Sequence, residues 1–299
     1  MIFESVIDRI ERSDRLDPIT QRVKDLFEPV IGSGIARDVL GGRWLGHPVH
    51  PPAVIAPLAG WFGGTLLDIA GGPTARGAAR RLIGAGTLAA LPAALAGASD
   101  WLTVGDAEER VGTVHAALAD GATTLFGLSW LLRTRRHHRS AVAFGLAGAA
   151  VAATTAFVGG HLSFRRGVGV STVAFQSGPD EWAALDLDDE PQTDRAVLGI
   201  AAGVPFAVVA TSSSADLATS VHVLESRCTH RGGPLHDGSV VDGCIECPWH
   251  GARFDLESGA VRRGPASAPQ PVYDTRGVDG SIELRRDEPG GLRRDSTVA

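Results

Sequence analysis

The chain has 299 residues, 44% of them hydrophobic, 21% charged and 6% aromatic, with a formal net charge of -6. An acidic balance without a basic face excludes the usual footprint of a nucleic-acid partner. Three cysteines, at 228, 244 and 247, are too few and too close together for a disulfide framework and point to metal or redox chemistry in one short region.

Residues 1–43 alternate charge with apolar side chains: Ile2, Phe3, Val6, Ile7 and Ile10, then Val23, Leu26, Phe27 and Val30. This spacing predicts short amphipathic helices lying on a surface. Glu4, Asp8, Arg9 and Glu11 interrupt any signal-peptide core. Next come uncharged or nearly uncharged segments, Trp44 to Leu67, Leu82 to Ser99, Val111 to Leu132 broken only by Asp120, and Ser140 to Phe164. Each has the length, or nearly so, of a helix that crosses a bilayer core. A water-soluble bundle of buried helices is the alternative. Gly60 and Gly64 form a small-xxx-small pair suited to close helix packing.

Four spans would put both termini on one side of the membrane. Arg76, Arg80, Arg81, Arg133, Arg135, Arg136 and Arg139 then face the other side, against Arg37, Arg43, Arg110, Arg165 and Arg166 on the terminal side. That count leans toward external termini, but the further basic residues of the N-terminal segment reverse it. A linker over 166–179 leads to a β region, with runs at Val197 to Ile200, Pro205 to Thr211, Val221 to Leu224, Ser239 to Val241 and Ser281 to Leu284. The expected organisation is an amphipathic segment (1–43), a four-helix transmembrane domain (44–165), the linker, an all-β sandwich (180–286) and a polar tail (287–299).

Within the β region stand two boxes, Cys228-Thr-His230-Arg-Gly-Gly-Pro-Leu-His and Cys247-Pro-Trp-His250-Gly-Ala-Arg-Phe-Asp. One Cys and one His per box suit a [2Fe–2S] cluster in which one iron takes two thiolates and the other two imidazoles. A structural zinc site accepts the same donors, but its usual spacings pair Cys with Cys and His with His. Cys244 reads as a spare buried thiol and His236 as a solvent-facing loop residue.

These boxes strongly resemble the Rieske family, over roughly residues 180–286, and Gly264-Pro265-Ala266 looks like the family's proline loop. The resemblance implies Cys228, His230, Cys247 and His250 as cluster ligands, with Gly232, Gly233 and Gly251 turning backbone N–H groups toward the cluster sulfides. Quinol-oxidising members carry an extra Cys in each box, and a Ser and a Tyr that hydrogen-bond to sulfur; here Gly233, Trp249, Ala252 and Phe254 stand in the corresponding places. The resemblance is therefore to ferredoxin-type domains, with a potential near the low end of the family range, about -150 mV.

The phrases Leu45-Gly46-His47-Pro-Val-His50-Pro-Pro, Val111-Gly-Thr-Val-His115-Ala and Gly159-Gly160-His161-Leu-Ser-Phe resemble a family of four-span bacterial membrane proteins of unknown function, over about residues 40–172. Up-and-down order would gather His47, His50, His115, His161 and Asp100 near one membrane face. Ionisable residues at that depth are costly and invite a functional reading. His115 and His161 are the first candidates for a b-type haem or a quinone site, with His47 and His50 as alternatives and a purely structural role also open.

The expected protein is a membrane-bound ferredoxin in the bacterial cytoplasmic membrane, its cluster domain facing the cytoplasm. Its partners are the lipid membrane and a redox protein, a reductase or an acceptor. A redox sensor, or a subunit of a membrane oxidoreductase, are the other readings.

Overall fold

The computed structural model of the chain describes residues 2–175, 178–211, 220–278 and 280–286, and for residues 2–4 and 106 the backbone alone. The polar tail expected over 287–299 lies outside the described residues. The chain divides into two units, Met1–Gly41 with Pro48–Val168, and Gly42–His47 with Gly169–Ala299.

The first unit is helical: α1 Ile2–Glu11, α2 Asp17–Ile31, α3 Gly34–Leu40, α4 His50–Ala53, α5 Ile55–Ala70, α6 Arg76–Trp101, α7 Asp106–Thr134 and α8 His138–Gly160. The first apolar helical stretch starts at His50 rather than at Trp44, with Pro51 and Pro52 in its first turn, where a missing N–H costs nothing. α5 packs on α6 and α8, and α7 packs on the same two helices. Among the described residues, three stretches are long and apolar enough to cross a membrane: His50–Ala70, Pro73–Trp101 and His138–Arg165. α7 carries His115 and Asp120 within its apolar run and falls outside that set, so the expected count of four spans is not reached on composition.

Trp61 of α5 stacks on Phe126 of α7, ring centres 4.7 Å apart, inside a core that includes Ile83, Ala90, Ala122 and Ala152. Gly60 and Gly64 bring α5 against α6, for a Cβ at either would lie 2.6 Å from the Leu82 carbonyl oxygen or 2.5 Å from Ile83 Cγ1. The N-terminal helices are amphipathic, but α1 does not lie on an open surface. Its Ile7 is buried with Val111 and Val158, the Thr20 and Thr113 hydroxyls meet at 2.7 Å, and Arg110 grips both oxygens of Asp17. Packing of Ile7 against Val111 of α7 and Val158 of α8 buries part of the apolar stripe of α1, while Val6 stays exposed.

The second unit is all-β. Its strands are β1 Ala183–Ala184, β2 Asp186–Leu187, β3 Val197–Ala201, β4 Val204–Ala210, β5 Val221–Glu225, β6 Ser239–Val241, β7 Cys244–Glu246, β8 Arg253–Asp255, β9 Val261–Arg263, β10 Val272–Val278 and β11 Ser281–Arg286. They form an antiparallel sheet ordered β1-β11-β10-β5-β4-β3-β2 and a smaller one ordered β6-β7-β8-β9. The unbroken apolar run of β4 reflects burial on both faces. Phe206 and Val208 enter one core with Leu185, Val223 and Leu284, while Ala207 and Val209 enter the other with Leu224, Ile245 and Phe254. That second core also contains Cys228, Cys247 and Ala266.

Candidate metal centre

The two Cys/His boxes fold into loops of one design. The first follows β5, and the second joins β7 to β8. In the first, Cys228 N–H donates to the Gly233 carbonyl at 2.9 Å and Gly232 N–H donates back to the Cys228 carbonyl at 2.9 Å. In the second, Cys247 N–H donates to the Ala252 carbonyl at 2.8 Å and Gly251 N–H returns to the Cys247 carbonyl at 3.0 Å. The register is the same in both. Each closing glycine has positive φ, +76° at Gly232 and +67° at Gly251, where a side chain would be strained.

The N–H groups of Gly232 and Gly251 close the loops onto carbonyls of the chain itself. The donors that reach the sulfurs are the backbone N–H groups of His230 and Arg231 at Cys228, and of Trp249 and His250 at Cys247. Nothing in the residue types marks Arg231 or Trp249 for that task, since the backbone performs it.

The thiols are buried and hydrogen-bond to each other. That bond pushes the Cys228 thiol up and holds Cys247 down, with the Trp249 and His250 N–H groups adding to the effect on Cys247. The imidazoles are half-buried, and the rings of His230 and His250 meet edge to face with centres 5.0 Å apart. A Cβ on Gly233 would lie 2.8 Å from Cys247 Sγ and 3.1 Å from the Trp249 ring, so this position admits only glycine beside the sulfur.

Among the described residues, no three His, Cys, Asp or Glu side chains converge on one ion position. A tetrahedral zinc site needs its donors around a single point. A two-iron cluster needs a pair of thiols and a separate pair of imidazoles, which is how these side chains are disposed. The donor set and the glycine cradle therefore fit a [2Fe–2S] cluster.

Gln270, absent from any motif, fastens the first loop. Fully buried, it accepts the Thr229 N–H at Oε1 (3.1 Å) and donates from Nε2 to the carbonyls of Glu225 (2.6 Å) and Arg227 (2.9 Å). Thr229 Oγ1 donates to the Ala268 carbonyl and Thr172 Oγ1 to the Cys228 carbonyl. Cys244 is a buried thiol on β7, as expected. His236 is half-buried rather than solvent-facing, because its Nδ1 meets Ser226 Oγ at 2.6 Å.

In the helical unit the structure brings His115 beside His50, not His161. His161 starts a wider π-helical turn, His161–Arg165, and its Nε2 lies 3.3 Å from Glu11 Oε1. Six residues beyond Thr155, it falls on a different side of the helix from the carbonyl that holds His115. His47 belongs to the other unit.

Residues 181–274 match the family model described as Rieske [2Fe-2S] domain, and residues 46–172 match that of a predicted membrane protein (DUF2231). The chain is 33% identical over 104 residues to the anthranilate 1,2-dioxygenase ferredoxin subunit of Burkholderia cepacia, covering 35% of this chain and 91% of that protein. It is 29% identical over 100 residues to ferredoxin CarAc of Metapseudomonas resinovorans, covering 33% of this chain and 85% of that protein. Among solved structures, the Sphingomonas yanoikuyae B1 ferredoxin matches at 25% identity and a TM-score of 0.31, over 36% of this chain and all of that one.

Proposed function

Because this chain belongs, through its C-terminal domain, to the Rieske [2Fe–2S] family, we propose that it is a membrane-bound ferredoxin carrying single electrons between a reductase or quinol pool and an acceptor protein. The domain is homologous to ferredoxin subunits of dioxygenases, which supports electron transfer as its role. The observation that carries the reading is the pair of matched loops, which set two buried thiols together and two half-buried imidazoles together.

Cys228 and Cys247 are the thiolate ligands of one iron, and His230 and His250 the imidazole ligands of the other. Bound in this way, a [2Fe–2S] cluster takes up and releases one electron at a time. The backbone N–H groups of His230, Arg231, Trp249 and His250 offset thiolate charge in a site whose apolar walls would otherwise disfavour it. The imidazole edge is the electron portal, since the thiols are buried while His230 and His250 reach partial exposure beside Trp249, which is 58% exposed. Side-chain hydroxyls are missing at Gly233, Ala252 and Phe254, and this supports a low potential, about -150 mV.

Membership of residues 46–172 in a predicted membrane protein family, with three long apolar helices, supports membrane association. On this reading the helices span the bacterial cytoplasmic membrane with the cluster domain in the cytoplasm, where cluster assembly takes place. Replacing His250 by Ala tests the ligand assignment. Loss of the Rieske-type spectrum is expected, and an unchanged spectrum with full iron content would overturn it. Proteolysis of right-side-out and inverted vesicles tests the sidedness, with cleavage of the β domain expected only in inverted ones. A sensor, unlike a carrier, would show no sustained flux from a flavin reductase to cytochrome c.

A further inference from the structure

The helical unit holds two imidazoles against each other that the electron-carrier reading leaves without a task. His50 opens α4 and His115 lies on α7, yet their ring centres are 6.3 Å apart with the planes at 83°. Each ring is anchored by a further helix. His50 Nδ1 donates to the Ala93 carbonyl on α6 at 2.9 Å, and His115 Nδ1 donates to the Thr155 carbonyl on α8 at 3.1 Å. A carbonyl only accepts, so each Nδ1 carries a proton and each Nε2 of the neutral ring keeps its lone pair. Neither Nε2 makes a hydrogen bond among the described residues.

Glycines on the carbonyl-supplying helices make room for both rings. A Cβ at Gly97 on α6 would lie 2.8 Å from His50 Cε1, and one at Gly159 on α8 would lie 3.0 Å from His115 Cε1. Four helices thus fix two lone-pair nitrogens, by the kind of carbonyl contact that orients metal-ligating histidines. The spacing fits as well. Two metal–imidazole bonds of about 2 Å each span a gap of this size between ring centres. A bound metal would give both nitrogens a partner at once.

We propose that His50 and His115 are two nitrogen ligands of one metal centre in the helical unit, a haem iron or a divalent transition-metal ion whose remaining positions the porphyrin or water would fill. His161 is not part of it, being engaged with Glu11. The proposal stands apart from the iron–sulfur cluster, whose signal serves as an internal control.

The test uses the full chain, produced with a haem precursor and trace metals supplied and purified in detergent. Metals are measured by mass spectrometry, haem by its pyridine derivative, and the cluster by electron paramagnetic resonance. About one haem, or about one metal ion beyond the cluster irons, is expected per chain. It should fall about tenfold or more in both His50→Ala and His115→Ala and stay in His161→Ala, with the cluster signal retained in all three. A sharp reduced α band identifies haem; its absence with one extra ion per chain identifies the bare metal. His115→Met keeps a ligand of similar reach, so retention with a shifted spectrum is expected, which misfolding would not produce. Wild-type protein holding neither haem nor extra metal, even after titration with haemin and zinc, would overturn the proposal. So would full retention in His50→Ala and His115→Ala.

Discussion

Gln270 Oε1 lies 3.1 Å from the backbone nitrogen of Thr229, the residue between the candidate ligands Cys228 and His230. One buried amide thereby fixes the first ligand loop while its Nε2 satisfies the carbonyls of Glu225 and Arg227. Gln270→Leu keeps the volume and leaves one N–H and two carbonyls without partners. A loss of roughly 2 to 4 kcal/mol in the stability of the β domain is expected, with reduced iron content. Urea unfolding followed by circular dichroism measures it; a change below about 0.5 kcal/mol would mean that the loop holds itself.

Gly233 is predicted to be intolerant for a different reason. The Cβ of Gly233→Ala would sit 2.8 Å from Cys247 Sγ, and the Trp249 ring at 3.1 Å closes the other direction. Iron per chain is expected to fall by about half or more while the sheet remains folded, since the clash is with the candidate ligand Cys247 in its loop rather than with a strand. Iron analysis alongside circular dichroism separates the two effects.

Much of this was legible in the sequence, and the reasons are specific. β4 announces itself as an apolar run because both of its faces are buried, and the two boxes coincide with the two matched loops, where two cysteines and two histidines at fixed spacing stand out from the rest of the chain. β10 does not announce itself. Its second half, Asp274 to Val278, is polar and partly exposed, and it is a strand because it pairs with β11 from Tyr273 opposite Arg286 to Val278 opposite Ser281. β7, β8 and β9 are three residues each, too short to show alternation. The pairing of His115 with His50 was equally hidden, because it depends on how α4 packs near α7, and on Glu11 of α1 engaging His161, which no residue pattern announces.

The Tyr273–Glu225 contact gives a pH prediction. Tyr273 OH donates to Glu225 Oε2 at 3.0 Å inside the sheet core. Burial, with the nearby carboxylate, pushes Tyr273 up to about 12. A raised folded value contributes stability that is whole below the unfolded value of about 10 and is lost as pH rises through the folded one, so the loss falls between about pH 10 and 12. Tyr273→Phe should remove that alkaline component. Burial also raises Glu225 above its ordinary range, so its contribution is whole at acid pH and lost as pH rises. Glu225→Gln should therefore raise the melting temperature at pH 8 more than at pH 4. The reverse order would contradict the assignment.

Arg133 and Asp68 form an ion pair buried in the helical unit, with Arg133 Nη1 donating to Asp68 Oδ1 at 2.8 Å and Nη2 to Oδ2. Breaking one partner leaves a buried charge alone. Asp68→Ala is expected to cost roughly 3 to 5 kcal/mol in the helical unit and to leave the cluster signal unchanged. Thermal unfolding in detergent, read by helix content and by cluster absorbance, tests both halves of this claim.

The central claim is that this chain is a low-potential one-electron carrier ligated by two thiolates and two imidazoles. Its most direct test is a potentiometric titration of the detergent-purified full chain, monitored by electron paramagnetic resonance. A single one-electron transition is predicted, well below 0 mV and near about -150 mV, from a cluster of about two irons per chain. A midpoint well above 0 mV, or zinc in place of iron with no reducible signal, would contradict it.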